Sequence, residues 1–187
     1  MKLVSLLKKL EYTCLQGSTD QEVKNVIYDS RKVEEGSLFI CIRGAVVDGH
    51  KFVPDVIAKG AKVLVVEEAV EAPEDVTVIL VKDTRYAMAF ISAAYFGHPA
   101  DKLKTIGITG TKGKTTTTYM VKSILENAGY KVGLIGTIEA IIGDKVIPAK
   151  NTTPESYMIQ EYFHEMVEAG CDCVVMEVSS QGLMLHR

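Results

Sequence analysis

The apolar residues of this chain occur in short continuous runs that alternate with stretches of helical periodicity. Runs that predict strands occupy residues 26–28, 37–42, 62–66, 77–81, 132–137 and 173–180, and a further strand starts at Thr105. Unbroken apolar runs such as 62–66 and 77–81 are typical of parallel strands that are buried on both faces. The pattern therefore predicts an α/β fold.

Helical periodicity separates the strands in the first half of the chain. The leucines within residues 1–10 share one face of an N-terminal helix, and further helices are predicted over 52–61 and 85–96. The last of these ends at Gly97, and a polar segment follows it. We place a domain boundary in that segment.

This boundary predicts a small N-terminal α/β domain over residues 1–100 and a second domain over 101–187. In the second domain, the first helix has one apolar face that we expect to be buried. That face consists of Met120, Val121, Ile124, Leu125 and Ala128. Residues 140–147 are predicted to form a hairpin. The last long helix is expected to begin with Thr153 as its N-cap and Pro154 as its first residue.

The composition is that of an ordinary globular protein and excludes several classes. Hydrophobic residues make up 47% and charged residues 24% of the chain, and a net charge of −3 gives no basic surface for nucleic acid. The longest apolar run, 87–97, is too short to cross a bilayer, and residues 1–10 lack the pattern of a secretory signal. The four cysteines lack the spacing of zinc sites. We therefore expect a cytoplasmic protein without membrane insertion.

One glycine-rich stretch, residues 105–118, is predicted to bind phosphate. It runs from a β-branched strand, through a turn that contains Gly110 and Gly113, into a helix. Such a turn directs backbone N–H groups inward, and the helix start adds unpaired N–H groups and the positive end of the helix dipole. Lys114 can then reach the outer phosphates of a nucleotide, and the Thr115 hydroxyl can bind Mg²⁺.

This stretch departs from the G-x-x-x-x-G-K-[ST] pattern at one position, because Ile108 stands where that pattern has its first glycine. It also lacks the G-x-G-x-x-G pattern, which disfavours a Rossmann dinucleotide site. The alternative is an ordinary glycine-rich loop between a strand and a helix. The strand before the loop and the helix after it favour phosphate binding.

A second candidate for metal binding is Glu177, which lies within the apolar run 173–180. In nucleotide-binding α/β sheets, a buried strand that ends in a carboxylate beside the phosphate loop can supply a ligand to Mg²⁺. The alternative is a surface acid at the end of a strand.

Few strand–helix units follow Thr105, although a parallel sheet needs helices over both of its faces. We therefore expect that the chain is a fragment and that the remainder of its own chain completes the second domain. A partner protein that completes the sheet is the alternative.

Together these residues resemble the Mur ligase family, and within it the subfamily that adds the third amino acid of the peptidoglycan stem peptide. Four blocks carry the resemblance along the whole chain in the family's order. They are Asp29-Ser30-Arg31 with residues 36–52, residues 107–116, Asn151-Thr152-Thr153-Pro154, and residues 177–183. The first two blocks are shared with the subfamily that adds the terminal dipeptide, whereas the last two favour the third-residue subfamily.

The resemblance implies an ATP-dependent amide ligase of peptidoglycan synthesis, with ATP and Mg²⁺ as cofactors. Its substrates would be UDP-N-acetylmuramoyl-dipeptide and an amino acid, either L-lysine or meso-diaminopimelate, joined through an acyl phosphate. The implied fold is a small N-terminal α/β uridine-nucleotide-binding domain followed by an incomplete P-loop α/β domain with a mainly parallel sheet.

The resemblance also implies roles for individual residues. The ATP-binding set is Gly110, Thr111, Lys112, Gly113, Lys114, Thr115 and Thr116, with Lys114 as the catalytic residue. The sugar-nucleotide set is Tyr28, Ser30, Ala45, Val46 and Val47, and the muramoyl-dipeptide set is Asn151, Thr152, Thr153, Ser179 and Arg187. Thr115 and Glu177 would hold Mg²⁺. Taken singly, Ser30 is typical of a turn, and Thr152 and Thr153 are typical of helix caps.

Four other functions stay open at this point, one of which is an ordinary P-loop kinase that would need no Asn151-Thr152-Thr153-Pro154 block. Folylpolyglutamate synthase shares the ATP loop but lacks a preceding uridine-binding domain like residues 1–100. A dipeptide-adding Mur ligase would share only the first two blocks. A non-catalytic UDP-sugar-binding module would bind UDP without ATP, although intact Lys114, Thr115 and Glu177 argue against a decayed site.

Overall fold

The computed structural model describes residues 1–44 and 47–187, which form two compact units, 1–95 and 96–187. Both units combine helices with a five-stranded sheet, so the α/β prediction is confirmed. The separate binding role expected of each domain stays a prediction. Within the described ranges, no helix has the length and apolar character needed to cross a membrane.

The first unit is built on a largely parallel sheet. Its strands are β1 (Thr13–Gln16), β2 (Asn25–Ile27), β3 (Ser37–Ile40), β4 (Val63–Val66) and β5 (Thr77–Leu80), and its helices are α1 (Leu3–Leu7), α2 (Val53–Ala58) and α3 (Thr84–Tyr95). The strand order is β1-β5-β4-β3-β2, and β2 to β5 are parallel. Every residue of β3 and β4 is buried, as the unbroken apolar runs predict.

Three elements of this unit differ from expectation. Strand β1 was not predicted because its side chains are mostly exposed and carry no apolar pattern. It pairs antiparallel with β5 at the sheet edge, so backbone hydrogen bonds specify it. Helix α1 covers only Leu3–Leu7 of the expected residues 1–10, and α2 begins at Val53 because Gly49–Phe52 form a 3₁₀ turn.

The second unit is built on a mixed sheet. Its strands are β6 (Lys104–Ile108), β7 (Val132–Ile135), β8 (Glu139–Ile142), β9 (Lys145–Pro148) and β10 (Cys173–Glu177), and its helices are α4 (Lys114–Asn127), α5 (Ser156–Glu168) and α6 (Ser180–Met184). The strand order is β6-β10-β7-β8-β9. Strands β6, β10 and β7 are parallel, and the predicted hairpin is confirmed as the antiparallel pair of β8 and β9.

The register of the parallel strands brings their carboxyl ends to one edge of the sheet. Glu177 in β10 pairs with Ile108, the last residue of β6, and Met176 pairs with Ile135, the last residue of β7. The segments that follow these three strands therefore leave the sheet side by side. In α/β sheets this edge is where ligands bind.

Successive side chains of β10 face the two long helices in turn. Cys173 and Val175 cluster with Val121 and Leu125 of α4, whereas Val174 belongs to the cluster that contains the apolar face of α5. Because side chains on a strand alternate with a period of two, Glu177 extends on the same side as Cys173 and Val175. The carboxylate thus lies on the α4 side of the sheet.

Two helix predictions were wrong in detail. Helix α5 begins at Ser156, after Glu155, and not at Pro154, because the Thr153 hydroxyl bonds to the end of β10 instead of capping a helix. In α4, Met120 and Ile124 are 62% and 67% exposed, and Ala128 is also exposed. Only part of its predicted apolar face packs on the sheet.

Candidate functional site

The loop between β6 and α4 has a backbone that favours glycine at two positions. Gly110 has a φ of 151° and Gly113 has a φ of 78°, values that L side chains rarely adopt. Gly113 is also the N-cap of the 14-residue helix α4, which has no side-chain cap. The N–H groups of the first turn are therefore available to an anion.

The lysine of this loop folds back over it. The Lys114 Nζ donates to the Gly110 carbonyl oxygen at 2.9 Å, although Lys114 itself is the first residue of α4. All seven residues of the predicted ATP-binding set lie in this loop and in the first turn of α4. The ammonium group thus lies within the loop, where a phosphate oxygen could replace the Gly110 carbonyl as its acceptor.

Glu177 is buried at the edge of the sheet where this loop begins. It is 1% exposed, so the interpretation as a surface acid is wrong. The Thr137 N–H donates to Glu177 Oε1 at 2.8 Å, and the Thr137 hydroxyl donates to Oε2 at 3.1 Å. A buried carboxylate needs such donors, because burial without hydrogen bonds is costly.

The donors present fit a magnesium–nucleotide site. Among the described residues, no group of three histidine, cysteine, aspartate or glutamate side chains could hold a metal ion by itself. Mg²⁺ is typically bound by one or two protein oxygen ligands together with substrate phosphates and water. The Thr115 hydroxyl and the Glu177 carboxylate are oxygen groups that could serve as ligands of this kind.

A tyrosine of α4 lies near the same carboxylate and was not predicted. The Tyr119 hydroxyl donates to Glu139 Oε1 at 2.8 Å. Burial, then this hydrogen bond and the charges of Glu139 and Glu177, raise the pKa of Tyr119 to about 12. Tyr119 is therefore a neutral donor on the helix that also carries Thr115.

Thr153 ties the segment before α5 to the end of β10. Its hydroxyl donates to the Glu177 carbonyl oxygen at 3.0 Å and accepts from the Ser179 N–H at 3.0 Å. The Ser179 hydroxyl in turn accepts from the Gly182 N–H at 3.0 Å and caps α6. Two separate stretches of sequence, 151–154 and 177–183, thus form one structure.

These stretches line a pocket of about 310 Å³ that brings together the five predicted muramoyl-dipeptide residues. The lining consists of Thr137, Lys150, Asn151, Thr152, Thr153, Ser179, Gln181 and Arg187. Thr137, Lys150 and Gln181 were not predicted. The position of Thr137 just after β7 was a usable signal, because the carboxyl ends of parallel strands collect ligand-binding residues.

Arg187 is anchored in the wall of this pocket. Its Nη2 lies 2.9 Å from Glu155 Oε1, and Nη1 donates to the Thr153 carbonyl oxygen at 3.3 Å. The two charged side chains are only 14% and 19% exposed. In the described part of the chain, the buried Nε has no hydrogen-bond partner.

Three of the predicted sugar-nucleotide residues line an open pocket of about 440 Å³ in the first unit. Tyr28, Ser30 and Val47 share it with Asp29, Arg31, Phe39, Ile42, Gly49 and Phe52. Ala45 and Val46, which were also predicted, lie outside the described residues. The side-chain hydrogen bond from Arg31 lowers the pKa of Asp29 to about 2.

A hydrogen-bonded histidine of the first block lies close to this pocket, although it was not among the predicted site residues. His50 Nδ1 lies 2.6 Å from Asp48 Oδ1, and Nε2 accepts from the Glu67 N–H at 3.0 Å. Because Nε2 is an acceptor, the proton of the neutral ring is on Nδ1. His50 and Asp48 thereby fix the chain just after Val47.

Comparison with known proteins gives two family matches on this chain. A model described as "Mur ligase family, catalytic domain" matches residues 22–96, and one described as "Mur ligase middle domain" matches residues 108–187. The loop, Glu177 and the 310 Å³ pocket lie within the second match, and the 440 Å³ pocket lies within the first.

Curated relatives match the chain along its whole length. A UDP-N-acetylmuramoyl-L-alanyl-D-glutamate–2,6-diaminopimelate ligase of Clostridium perfringens is 54% identical over 187 residues, which are 100% of this chain and 39% of the relative. Ligases of the same name from Clostridium tetani and Cytophaga hutchinsonii are 51% and 43% identical, with the same coverage of 100% and 39%. The chain thus spans about two fifths of these relatives.

Solved structures have the same fold. A UDP-N-acetylmuramoyl-L-alanyl-D-glutamate–2,6-diaminopimelate ligase matches with a TM-score of 0.78 at 22% identity, over 100% of this chain and 37% of that one. MurF from Acinetobacter baumannii matches with a TM-score of 0.63 at 26% identity, over 96% and 36%. MurF from Thermotoga maritima in complex with ADP has a TM-score of 0.57 at 21% identity, over 84% and 32%.

Proposed function

This chain belongs to the Mur ligase family, and we propose that it forms part of the ligase that adds 2,6-diaminopimelate to UDP-N-acetylmuramoyl-L-alanyl-D-glutamate. The reaction would use ATP and proceed through an acyl phosphate of the D-glutamate carboxylate. The observation that carries the proposal is the buried Glu177 carboxylate, which pairs in register with Ile108 just before the glycine loop and lies beside the Thr152–Thr153 pocket.

The chemistry explains why these residue types are needed. Transfer of a phosphoryl group to a carboxylate brings two anions together, so cationic and N–H groups must offset their repulsion. Lys114 and the N–H groups of the first turn of α4 would bind the ATP phosphates. Thr115 and Glu177 would hold Mg²⁺, which when bound neutralises phosphate charge.

The two pockets would bind different parts of the sugar-nucleotide substrate. The pocket around Tyr28, Ser30 and Val47 combines apolar and aromatic walls with a turn, which suits a uracil ring and its ribose. The pocket around Asn151, Thr152 and Arg187 is lined mainly by amide, hydroxyl and cationic groups, which suits the peptide and carboxylate of the muramoyl-dipeptide.

The names of the relatives favour diaminopimelate over L-lysine as the added amino acid. The incoming amino acid would be bound by parts of the intact ligase outside the two fifths of its relatives that this chain spans. A cytoplasmic location belongs to the same proposal, because ATP and a UDP-linked precursor are its substrates.

The test is to incubate the intact protein with ATP, Mg²⁺ and UDP-muramoyl-dipeptide, and to supply either diaminopimelate or L-lysine. We expect phosphate release and a product mass increase with diaminopimelate. Turnover with lysine alone would overturn the choice of amino acid. Addition of a dipeptide to the tripeptide precursor, or of glutamate to a folate, would instead assign one of the alternative ligases.

Separate titrations of ATP and UDP distinguish a ligase from a non-catalytic sugar-nucleotide module. The ligase binds both nucleotides, whereas the module binds UDP and not ATP. Binding of UDP without measurable binding of ATP by the intact protein would therefore contradict the proposal.

A further inference from the structure

We propose that Thr137 is a positioning residue that links Glu177 to the substrate-binding Thr152 through a directed chain of hydroxyl groups. This inference rests on the proposed function, because it concerns the carboxylate expected at the metal and the loop expected at the dipeptide. It assigns a role to a residue outside all four blocks of the family resemblance.

The first observation is the two-point contact between Thr137 and the carboxylate. The backbone N–H holds Oε1 at 2.8 Å, and the side-chain hydroxyl holds Oε2 at 3.1 Å. One donor on each oxygen fixes the rotation of the carboxylate about its last bond. Each oxygen keeps a second lone pair, so the contact orients Glu177 without blocking it as a ligand.

The second observation is that the same hydroxyl contacts the dipeptide pocket. Thr137 Oγ1 lies 3.1 Å from Thr152 Oγ1. A threonine hydroxyl carries one proton, and an ionised carboxylate can only accept. The proton of Thr137 therefore belongs to the charge-assisted bond with Glu177, and Thr152 must donate to Thr137.

This direction determines what Thr152 can recognise. Since its proton is used toward Thr137, Thr152 presents only lone pairs to the pocket that it lines with Asn151 and Arg187. It therefore accepts a hydrogen bond from a donor such as a peptide N–H. The carboxylates of the dipeptide are left to cationic groups such as Arg187.

The hydroxyl of Thr137 is not needed to hold the surrounding backbone. Thr153 separately bonds to the Glu177 carbonyl oxygen and to the Ser179 N–H. The N–H of Thr137 also remains after any side-chain substitution. Thr137→Val keeps the shape and the N–H bond to Oε1, and removes only the hydroxyl that joins Glu177 to Thr152.

The test measures binding to the intact protein by calorimetry, with UDP-muramoyl-dipeptide in the absence of ATP and metal, and with UDP alone. We expect Thr137→Val to weaken binding of UDP-muramoyl-dipeptide about tenfold, which corresponds to one hydrogen bond. Binding of UDP alone is expected to stay unchanged. The matched Thr137→Ser variant keeps the hydroxyl and should bind within about twofold of the unmodified protein.

A double-mutant cycle with Thr152→Val tests whether the two hydroxyls act as one chain. Because either substitution breaks the chain, the double variant should bind about as weakly as the weaker single variant. Strictly additive losses, or Thr137→Val binding like the unmodified protein, would overturn the positioning role while the ligase assignment stands. If the unmodified protein itself fails to bind UDP-muramoyl-dipeptide, the proposed function falls and this role with it.

Discussion

Gly136 lies against the Glu177 carboxylate, and a β-carbon added at residue 136 would stand 2.7 Å from Glu177 Oε1. The other two closest atoms to that position, at 3.5 and 3.6 Å, also belong to the Glu177 side chain. Gly136 is therefore a glycine because the carboxylate occupies the space of its missing side chain, and not because of its backbone conformation. Glu177 has little freedom to move without a change at Gly136.

We expect Gly136→Ala to lower the free energy of unfolding by about 1–3 kcal/mol, the usual cost of overpacking a buried site. Urea unfolding measures this loss. In a Glu177→Ala background the clash is absent, so the same substitution should cost almost nothing. An equal loss in both backgrounds would show that the clash does not involve the carboxylate.

Lys114→Ala is expected to slow ligation by the intact enzyme by on the order of 10³-fold, comparable to the loss of one preorganised donor to a developing anion. Phosphate release measures the rate. Lys102→Ala is the control, because this lysine is exposed and lies before β6, outside the predicted ATP-binding set. A Lys114→Ala enzyme within tenfold of the unmodified rate would refute the role of Lys114.

The low pKa of Asp29 predicts a pH-dependent contribution to stability. The folded value of about 2 lies below the ordinary value of 3.8. Asp29 therefore makes its full contribution to stability at pH values above the ordinary pKa of 3.8. This contribution is lost as the pH falls through the folded pKa of about 2. Asp29→Asn should be less stable than the unmodified protein at pH 6, with a difference that shrinks toward pH 2.

Stability curves of both proteins by denaturant unfolding at several pH values check this prediction. A second check is the carboxyl carbon chemical shift of Asp29, which should titrate near the folded value of about 2. A stability difference that stays constant with pH would mean that the Asp29→Asn substitution acts through something other than the lost charge.

The thiols should differ sharply in reactivity. Burial, followed by the charges of Asp48 and Glu67, raises the pKa of Cys41 to about 12, whereas Cys14 is exposed. Because the thiolate is the reactive form, iodoacetamide at pH 8 should modify Cys14 first and Cys41 only after denaturation. Peptide mass mapping identifies the modified residue. Rapid modification of Cys41 in the folded protein would contradict its burial.

The parts of the fold that the sequence predicted are those in which one local pattern determines the structure. Unbroken apolar runs identified β3, β4 and β5 because both faces of these strands are buried. The glycine spacing identified the loop before α4 because its backbone angles favour glycine at Gly110 and Gly113.

The parts that were missed depend on contacts between distant segments. Strand β1 is specified by backbone pairing with β5, and its exposed side chains give no signal. Thr153 has the residue type of a helix cap, but its hydroxyl bonds instead to the Glu177 carbonyl oxygen and to the Ser179 N–H. Thr137 precedes its partner Glu177 by 40 positions, so only the sheet order brings them together.

Glu177 lies on the α4 side of the sheet only because an even number of positions along β10 separates it from Cys173. A single codon inserted or deleted between Cys173 and Glu177 would rotate the carboxylate to the α5 side, although the strand could still pair with both neighbours. The spacing from Cys173 to Glu177 should therefore be more intolerant of length change than of residue exchange. A deletion scan of this strand would separate loss of ligand binding from loss of folding.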